Sequence, residues 1–350
     1  MLSDFYKEKK VLVTGHTGFK GSWLSVILVE MGAEVIGYST CGKEEPRLFD
    51  MCGVEKDITH IKGDVRDYDH LLSVFDQYRP EIVIHLAAQP LVRESYVIPR
   101  ETYETNVMGT VNLLECVRKT DSVRSVLNVT TDKVYLNHEF DRGYVETDEL
   151  DGYDPYSNSK SCSELVTHSY KRSFFDNSDV AVSTARAGNV IGGGDFAEDR
   201  IIPDCIRAAS ASVPVVVRNP YSIRPYQYVL EPLFAYLMIA ERQYADKSTS
   251  GYYNVGPDIN DCIKTGELVD LFNSLWGEGA SRLDQYDGGP HEAGFLMLDC
   301  TKFKETFGWH PRWNIRTAVA KTIDWTKKYK NEGDVRKCMI EQINEYGKME

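Results

Sequence analysis

A tyrosine and a lysine four residues apart form the first pair in this sequence that could do proton chemistry. The stretch "YSNSK" places Tyr156 and Lys160 near the start of a predicted helix, where residues i and i+4 share one face. An ammonium group beside a phenol lowers the pKa of the phenol, which would make Tyr156 a usable base near neutral pH. The alternative is a surface pair, because this spacing also arises by chance.

A second pair of charged residues follows an apolar run. The run "VRSVLNV" (123–129) is typical of a buried strand, and "TTDKVY" (130–135) comes directly after it. Thr131 offers a hydroxyl group, while Asp132 and Lys133 offer two proton-transfer groups side by side. The alternative is a solvated turn, since a loop accepts charges freely.

A glycine-rich turn precedes the first predicted helix. In "TGHTGFKG" (14–21), Gly15, Gly18 and Gly21 form a GxxGxxG pattern between a buried strand and a helix. Such a turn lets the backbone approach a pyrophosphate without side chains in the way, and the helix N-terminus offers N–H groups and positive dipole to phosphate. The turn therefore predicts a dinucleotide site.

The identity of the dinucleotide is less clear from the second strand. NAD sites of this type usually have Asp or Glu at the end of that strand, but here the place is held by Ser39 or Thr40. Lys43 and Arg47 follow, and they are either contacts to a 2′-phosphate or solvated loop charges. Asp64, after the third strand, could accept from the adenine amino group. We expect NAD, with NADP as the alternative.

Strands and helices alternate through the first half of the chain. Several predicted strands are apolar almost throughout, which burial on both faces requires. This alternation predicts an α/β protein with a doubly wound parallel Rossmann sheet and a smaller C-terminal substrate-binding lobe. We expect long single helices at 101–119 and 156–175, one strand at 180–190 and one frayed terminal helix after about residue 327. The predicted domains are a dinucleotide-binding Rossmann domain at 1–190, joined by a returning strand near 251–256, and a smaller lobe at 191–350.

Composition narrows the class of partner and the compartment. The chain has 350 residues and a formal net charge of −13, which argues against nucleic acid or an anionic membrane as the main partner. The eight cysteines contain no CxxC pair and the eight histidines no HxxxH or HExxH spacing, so we expect free thiols and no metal. The N-terminus is polar, and no stretch approaches about 18 apolar residues. These features predict a cytoplasmic protein.

Together, several motifs resemble those of the extended short-chain dehydrogenase/reductase superfamily. They are the glycine turn, "HLAAQP" (85–90), "TNVMGT" (105–110), "TTDK" (130–133) and "YDPYSNSK" (153–160). Longer sequence motifs are similar to those of the CDP-glucose 4,6-dehydratases, which act in pathways for bacterial surface polysaccharides such as the O-antigen. These motifs are "GHTGFKGSWLS", "HLAAQPLVRESY", "RAGNVIGGGDFAEDRIIPD", "RNPYSIRPYQYVLEP" and "GWHPRW". The resemblance runs from about residue 8 to about residue 326.

The resemblance implies a lyase that uses bound NAD and regenerates it. Tyr156, helped by Thr131 and Lys160, takes the proton of the sugar O4 while hydride passes from C4 to the cofactor. The 4-ketone acidifies the C5 hydrogen, Lys133 removes it, and Asp132 protonates the departing C6 hydroxyl group. Hydride then returns to C6. The substrate implied is CDP-glucose and the product CDP-4-keto-6-deoxyglucose.

The resemblance also implies that the Rossmann domain at 1–190 binds NAD and that the lobe at 191–350 binds the nucleotide sugar. It further implies which residues bind the two ligands. Asn106 is expected to orient the site from its helix. The expected cofactor-binding residues are Gly15, Thr17, Gly18, Phe19, Lys20, Ser39, Asp64, Val65, Leu86, Ala87, Ala88, Thr105, Tyr156 and Lys160. The expected substrate-binding residues are Gln89, Arg93, Asn106, Asn189, Arg200, Arg218, Arg224, Tyr228 and His291.

Some positions depart from the family pattern. The family usually reads TSDKCYDNRE where this chain reads "TTDKVYLNHE", and RPWQHV where this chain reads "RPYQYV". The alternatives are therefore a 4,6-dehydratase for another nucleotide hexose and a nucleotide-sugar 4-epimerase, which needs no acid–base pair after Thr131. A non-catalytic dinucleotide sensor would typically lack Tyr156 and Lys160. By resemblance we expect a homodimer, or a tetramer.

Overall fold

A computed structural model describes residues 4–42, 46–285 and 294–348. Its largest element is a sheet of seven strands that are all parallel to one another. The strands are β1 (Lys10–Thr14), β2 (Glu34–Ser39), β3 (Thr59–Lys62), β4 (Ile82–His85), β5 (Ser125–Val129), β6 (Ala181–Ala187) and β10 (Tyr252–Val255).

The strand order across this sheet is 3-2-1-4-5-6-10. Every residue of β4, β5 and β6 is buried, because helices cover both faces of the sheet. The order reverses between β1 and β4, and ligands of doubly wound sheets bind in the crevice at such a switch point. The predicted Rossmann sheet is confirmed, and the returning strand pairs with β6.

The helices that connect these strands carry many of the expected site residues. Two segments are not single α-helices, because a π-helical turn at Glu104–Met108 precedes α6 and another at Lys171–Phe175 follows α7. The helices of this half are α1 (Phe19–Glu30), α2 (Leu48–Cys52), α3 (Tyr68–Tyr78), α4 (Val92–Val97), α5 (Pro99–Tyr103), α6 (Gly109–Lys119) and α7 (Pro155–Tyr170).

The described residues of the second half form two small sheets and six α-helices. In one sheet β9 lies between β7 and β11, and in the other β8 pairs with β12. The strands are β7 (Asn189–Ile191), β8 (Val215–Val217), β9 (Ile223–Tyr228), β11 (Cys262–Lys264) and β12 (Arg282–Asp284). The helices are α8 (Ile201–Ser210), α9 (Leu230–Ala245), α10 (Thr265–Trp276), α11 (Thr301–Phe307), α12 (Ile315–Glu332) and α13 (Val335–Gly347).

The strand predicted at 180–190 is interrupted at Gly188. A Cβ atom at this position would lie 2.6 Å from Cγ of Pro225. Because β9 comes so close, the chain leaves the main sheet after β6 and continues as β7 beside β9. The expectation of one strand is wrong, and the break carries Asn189 toward the crevice.

The C-terminal segment does not end in one frayed helix. Its last helix, α13, buries Val335, Met339, Ile343 and Tyr346 and packs against α1 and α2 of the Rossmann half. Helix α9 also crosses between the halves, since Ser125 Oγ donates to the carbonyl of Ala240 at 2.9 Å. The division at residue 190 stays a prediction.

Among the described residues, no helix is both long enough and apolar enough to span a bilayer.

Candidate active site

A cavity of about 1600 Å³ opens at the carboxyl ends of the central strands. It runs from the glycine turn, past the end of β5, to the loops and short strands of the second half. The expected residues that line it are Gly15, Thr17, Gly18, Phe19, Lys20, Ser39, Asp64, Val65, Leu86, Ala87, Ala88, Gln89, Arg93, Thr105, Thr131, Lys133, Tyr156, Asn189, Arg200, Arg218 and Arg224.

The glycine turn forms a cradle that side chains would fill. Gly15 has φ +73°, which favours glycine, and a Cβ there would lie 2.8 Å from the backbone nitrogen of Ala87. A Cβ on Gly21 would lie 2.2 Å from the carbonyl oxygen of Gly15, so the turn and α1 pack backbone to backbone. At Gly18 the nearest such atom is 3.5 Å away. These distances fit a turn that admits a pyrophosphate at the start of α1.

The ends of β2 and β3 form the next part of the cavity. The hydroxyl groups of Thr17 and Ser39 lie 2.8 Å apart. Arg47 pairs with Asp50 at 2.7 Å, and Lys43 lies outside the described residues. The Asp64 carboxylate is held by the guanidinium of Arg66 at 2.6 Å, and these hydrogen bonds lower the pKa of Asp64.

The acid–base pair lies directly after β5 in a short turn, Asp132–Val134. Lys133 Nζ donates to Asp132 Oδ1 at 2.8 Å and to Asn189 Oδ1 at 3.2 Å. Thr131 Oγ1 donates to the same Asp132 oxygen at 2.9 Å. Asp132 is fully buried, whereas Lys133 faces the cavity. Asp132 Oδ2 has no hydrogen-bond partner within the described part of the chain, so one carboxylate oxygen remains available.

Tyr156 lies in the first turn of α7, because Asp154 caps this helix and Pro155 starts it. The phenol is hydrogen-bonded to Thr131, and burial raises the pKa of Tyr156 to about 12. Burial also lowers the pKa of Lys160 to about 8. Lys160 Nζ donates to the carbonyl of Val129 at 3.1 Å. The expected lowering of the Tyr156 pKa is wrong for this structure, because burial of the phenol dominates.

Arg200 and Arg218, two of the expected substrate-binding arginines, have acidic partners. Arg200 pairs with Asp195 at 3.0 Å and Arg218 pairs with Asp199 at 2.6 Å. Arg224 lines the same region from β9 and donates to a backbone carbonyl at 3.0 Å. The sequence analysis did not identify the two aspartates as partners. Their signal was the alternation of acids and arginine in "GGGDFAEDR" (192–200).

Four expected residues within the described ranges do not line the cavity: Asn106, Asp132, Lys160 and Tyr228. Asn106, in the π-helical turn, accepts from the backbone N–H of Gln89 at 2.8 Å and donates to Ser159 Oγ at 2.9 Å, so it fixes the loop after β4. Tyr228 is fully buried and donates to Gln342, while Tyr226 lines the cavity instead. Asp132 accepts from Lys133, which lines the cavity, whereas Lys160 donates to the carbonyl of Val129, which does not. His291 lies outside the described residues.

In the described ranges 4–42, 46–285 and 294–348, no group of three His, Cys, Asp or Glu residues is arranged to hold a metal ion.

The sheet, the glycine cradle and the Thr–Tyr–Lys group define an enzyme of the extended short-chain dehydrogenase/reductase class. A family model described as GDP-mannose 4,6 dehydratase matches residues 12–322. The chain belongs to this family.

Three relatives show how the chain is placed among known proteins. It is 46% identical to the CDP-glucose 4,6-dehydratase of Salmonella typhimurium, over 98% of this chain and 97% of the relative. It is 30% identical to a probable dTDP-glucose 4,6-dehydratase of Sinorhizobium fredii, over 90% and 92%. The solved structure of the Thermus thermophilus UDP-glucose 4-epimerase in complex with NAD is 25% identical, with a TM-score of 0.77 over 90% of this chain and 98% of that one. These likenesses confirm the resemblance that the motifs indicated.

Proposed function

We propose that this protein is a sugar-nucleotide 4,6-dehydratase that converts CDP-glucose to CDP-4-keto-6-deoxyglucose with bound NAD. The observation that carries the proposal is the 2.8 Å contact between Asp132 and Lys133, next to Thr131 at the edge of the cavity. An epimerase has no use for an acid and a base at this place. The 46% identity to the Salmonella typhimurium enzyme supports CDP-glucose as the substrate.

Tyr156 and Thr131 begin the reaction at the sugar O4. NAD, when bound, supplies the hydride acceptor for C4 oxidation and the donor for C6 reduction. Tyr156 removes the O4 proton, and its hydrogen bond to Thr131 places the phenol beside the acid–base turn. A buried phenol needs a nearby positive charge to ionise, which Lys160 on the same face of α7 and a cationic nicotinamide would both provide.

Lys133 and Asp132 carry out the elimination. Transfer of one proton from Lys133 Nζ to Asp132 Oδ1, across 2.8 Å, produces a neutral amine and a carboxylic acid. The amine then takes the C5 proton and the acid protonates the departing C6 hydroxyl, so one water leaves and the pair returns to its ionised form. As hydride adds to C6, the Lys133 ammonium group, whose protons exchange with water, returns one proton to C5.

The residues that would hold the cofactor fit a dinucleotide. The cradle of Gly15, Gly18 and Gly21 admits the pyrophosphate, and Ser39 and Asp64 lie where the adenosine ribose and adenine are expected. We propose NAD rather than NADP, because Arg47 is engaged with Asp50.

A panel of nucleotide sugars tests the proposal. Purified protein is incubated with NAD or NADP and with the CDP-, dTDP-, UDP- or GDP-hexose, and products are read by mass. We expect loss of one water from CDP-glucose with NAD, at a higher kcat/KM than from any other member. Loss of water only from another nucleotide hexose would overturn the substrate assignment, and no loss from any would overturn the dehydratase.

We also propose a homodimer, cytoplasmic location and a role in making surface polysaccharide such as O-antigen. Three large apolar side chains on neighbouring helical segments are about half exposed: Met108, Leu165 and Phe174. A second copy that covers them would remove this apolar surface from water. All eight cysteines are free thiols, which suits a reducing compartment. The two domains at 1–190 and 191–350 are part of the same proposal.

A further inference from the structure

We propose that one buried ion pair, Glu164 with Arg186, positions the acid–base segment by holding both of its ends. The acid–base segment is defined here as residues 130–135. Thr130 and Tyr135, its first and last residues, are then positioning residues for the elimination. The proposal rests on the proposed dehydratase function, and its test below separates the two.

Both ends of the segment are bonded to the same pair of charges. Thr130 Oγ1 donates to Glu164 Oε1 at 2.5 Å. Arg186 Nη1 donates to the phenol oxygen of Tyr135 at 2.9 Å. The Tyr135 hydroxyl in turn donates to Asn254 Oδ1 at 2.7 Å. The two ends of the segment are therefore linked through side chains rather than through solvent.

The Glu164–Arg186 ion pair is shielded from solvent. Glu164, on α7, and Arg186, on β6, pair at 2.9 Å, and both are fully buried. Burial alone would raise the pKa of Glu164, but Arg186 and its hydrogen bonds outweigh that effect and hold the pKa at about 2. Separation of the two side chains would leave two unpaired charges in the protein interior, which is strongly destabilising. The pair therefore stays formed in the folded protein. His168 and Thr184 complete the contacts of the carboxylate.

Helix α7 holds the segment at further points. Ser161 Oγ donates to the carbonyl of Val134 at 2.7 Å, and Lys160 Nζ donates at 3.1 Å to the carbonyl of Val129, the residue just before the segment. The same helix carries Tyr156. One element therefore sets the position of the oxidation base and of the elimination pair relative to each other. Small displacements of such groups cost rate, since productive geometry is narrow.

The matched variants are Thr130→Val and Thr184→Val. Each replaces a buried hydroxyl group that donates to Glu164 by a methyl group, at 2.5 Å for Thr130 and 2.8 Å for Thr184. Only Thr130 belongs to the acid–base segment. We expect equal losses of thermal stability, but kcat for dehydration about 10- to 100-fold lower in Thr130→Val alone. Tyr135→Phe, which keeps the ring and removes the hydroxyl, should behave like Thr130→Val.

Two readouts separate positioning from general destabilisation. During turnover, Thr130→Val should accumulate reduced nicotinamide absorbance, because oxidation continues while elimination slows, whereas Thr184→Val should not. Without substrate, acetylation of Lys133, mapped by mass spectrometry, should be faster in Thr130→Val than in wild type or Thr184→Val, because its contact with Asp132 is loosened.

The outcomes decide each claim separately. Equal Lys133 acetylation in Thr130→Val and Thr184→Val would overturn the positioning proposal, whatever the substrate. If Lys133 is acetylated faster in Thr130→Val although the protein dehydrates no nucleotide hexose, that result would support the positioning role of the Glu164–Arg186 pair and reject the dehydratase function.

Discussion

At the scale of single residues, the proposed mechanism requires neighbouring groups to change protonation state in opposite directions. In the proposed mechanism, Tyr156 acts after losing a proton, Asp132 acts after gaining one, and Lys133 alternates between its neutral and protonated forms. The structure places Asp132 and Lys133 in direct contact and connects Tyr156 to them through Thr131.

Removal of the lysine base should stop the elimination without loss of the cofactor. We expect Lys133→Ala to lower kcat for dehydration at least about 100-fold, since general bases contribute that much or more. NAD affinity, measured by titration calorimetry, should change little, because Lys133 lies after β5 and the cradle after β1. Lys62→Ala, at an exposed lysine of β3, is the control. A Lys133→Ala enzyme with the wild-type rate would show that the lysine is only a turn charge.

The buried Lys160 should lower the free energy of unfolding by an amount that depends on pH. Burial lowers the pKa of Lys160 from 10.5 to about 8 in the folded state. Between pH 8 and 10.5 the unfolded chain therefore binds the proton that the folded chain has released, so stability from this group rises with pH across this window and is lowest below it.

The corresponding variant is Lys160→Met. At pH 7 we expect its free energy of unfolding to exceed that of wild type by about 1–3 kcal/mol, since each pKa unit is worth about 1.4 kcal/mol and the lost bond to Val129 offsets part of it. The difference should shrink as pH rises from 8 toward 10, as measured by urea unfolding, while activity is lost. A difference independent of pH would contradict the lowered pKa.

At the scale of elements, two glycines of the same turn should differ in role: Gly21 in packing of the turn against α1, and Gly18 in binding of the cofactor. At Gly21 a Cβ would collide with the backbone of Gly15, whereas at Gly18 it would meet only ordinary contact. Gly21→Ala should therefore lower the thermal midpoint and NAD affinity together. Gly18→Ala should keep the midpoint and lose affinity, because its methyl group occupies the pyrophosphate approach. Thermal unfolding and NAD titration measure both. Unchanged NAD affinity in Gly18→Ala would place the pyrophosphate elsewhere.

Much of the Rossmann half could be predicted because its strands are buried on both faces. Such strands are apolar in sequence, and the glycine turn, "TTDK" and "YSNSK" each follow or precede one at a fixed place. The interruption at Gly188 could not be predicted, because it depends on how close β9 approaches. The partners of Arg200 and Arg218 depend in the same way on loop conformations that leave no periodic signal.

At the scale of the whole molecule, tertiary packing overrides the local pattern at the C-terminus. The segment after residue 327 is polar overall, yet α13 buries Val335, Met339, Ile343 and Tyr346 and packs against α1, α2 and α12. A polar average predicted fraying because it ignored which residues share one face of the helix. The last helix thus stabilises the domain that binds the cofactor.

A charged substitution on the proposed dimer surface tests whether the protein is a homodimer. Leu165 is 51% exposed on α7, and Leu283 is 50% exposed on β12. We expect Leu165→Glu to produce a monomer in light scattering coupled to size exclusion, because a buried carboxylate opposes association. Leu283→Glu should keep the wild-type mass. A Leu165→Glu protein that stays dimeric would place the interface on another surface.

The most direct test of the acid–base assignment is the reaction of CDP-glucose with NAD in heavy water. If Lys133 and Asp132 perform the elimination, the product loses one water and carries one solvent deuterium at C5, while the hydrogen from C4 appears at C6. Mass spectrometry and proton NMR of the product measure both. Recovery of an isomer of CDP-glucose that retains its C5 hydrogen would contradict the account and identify an epimerase.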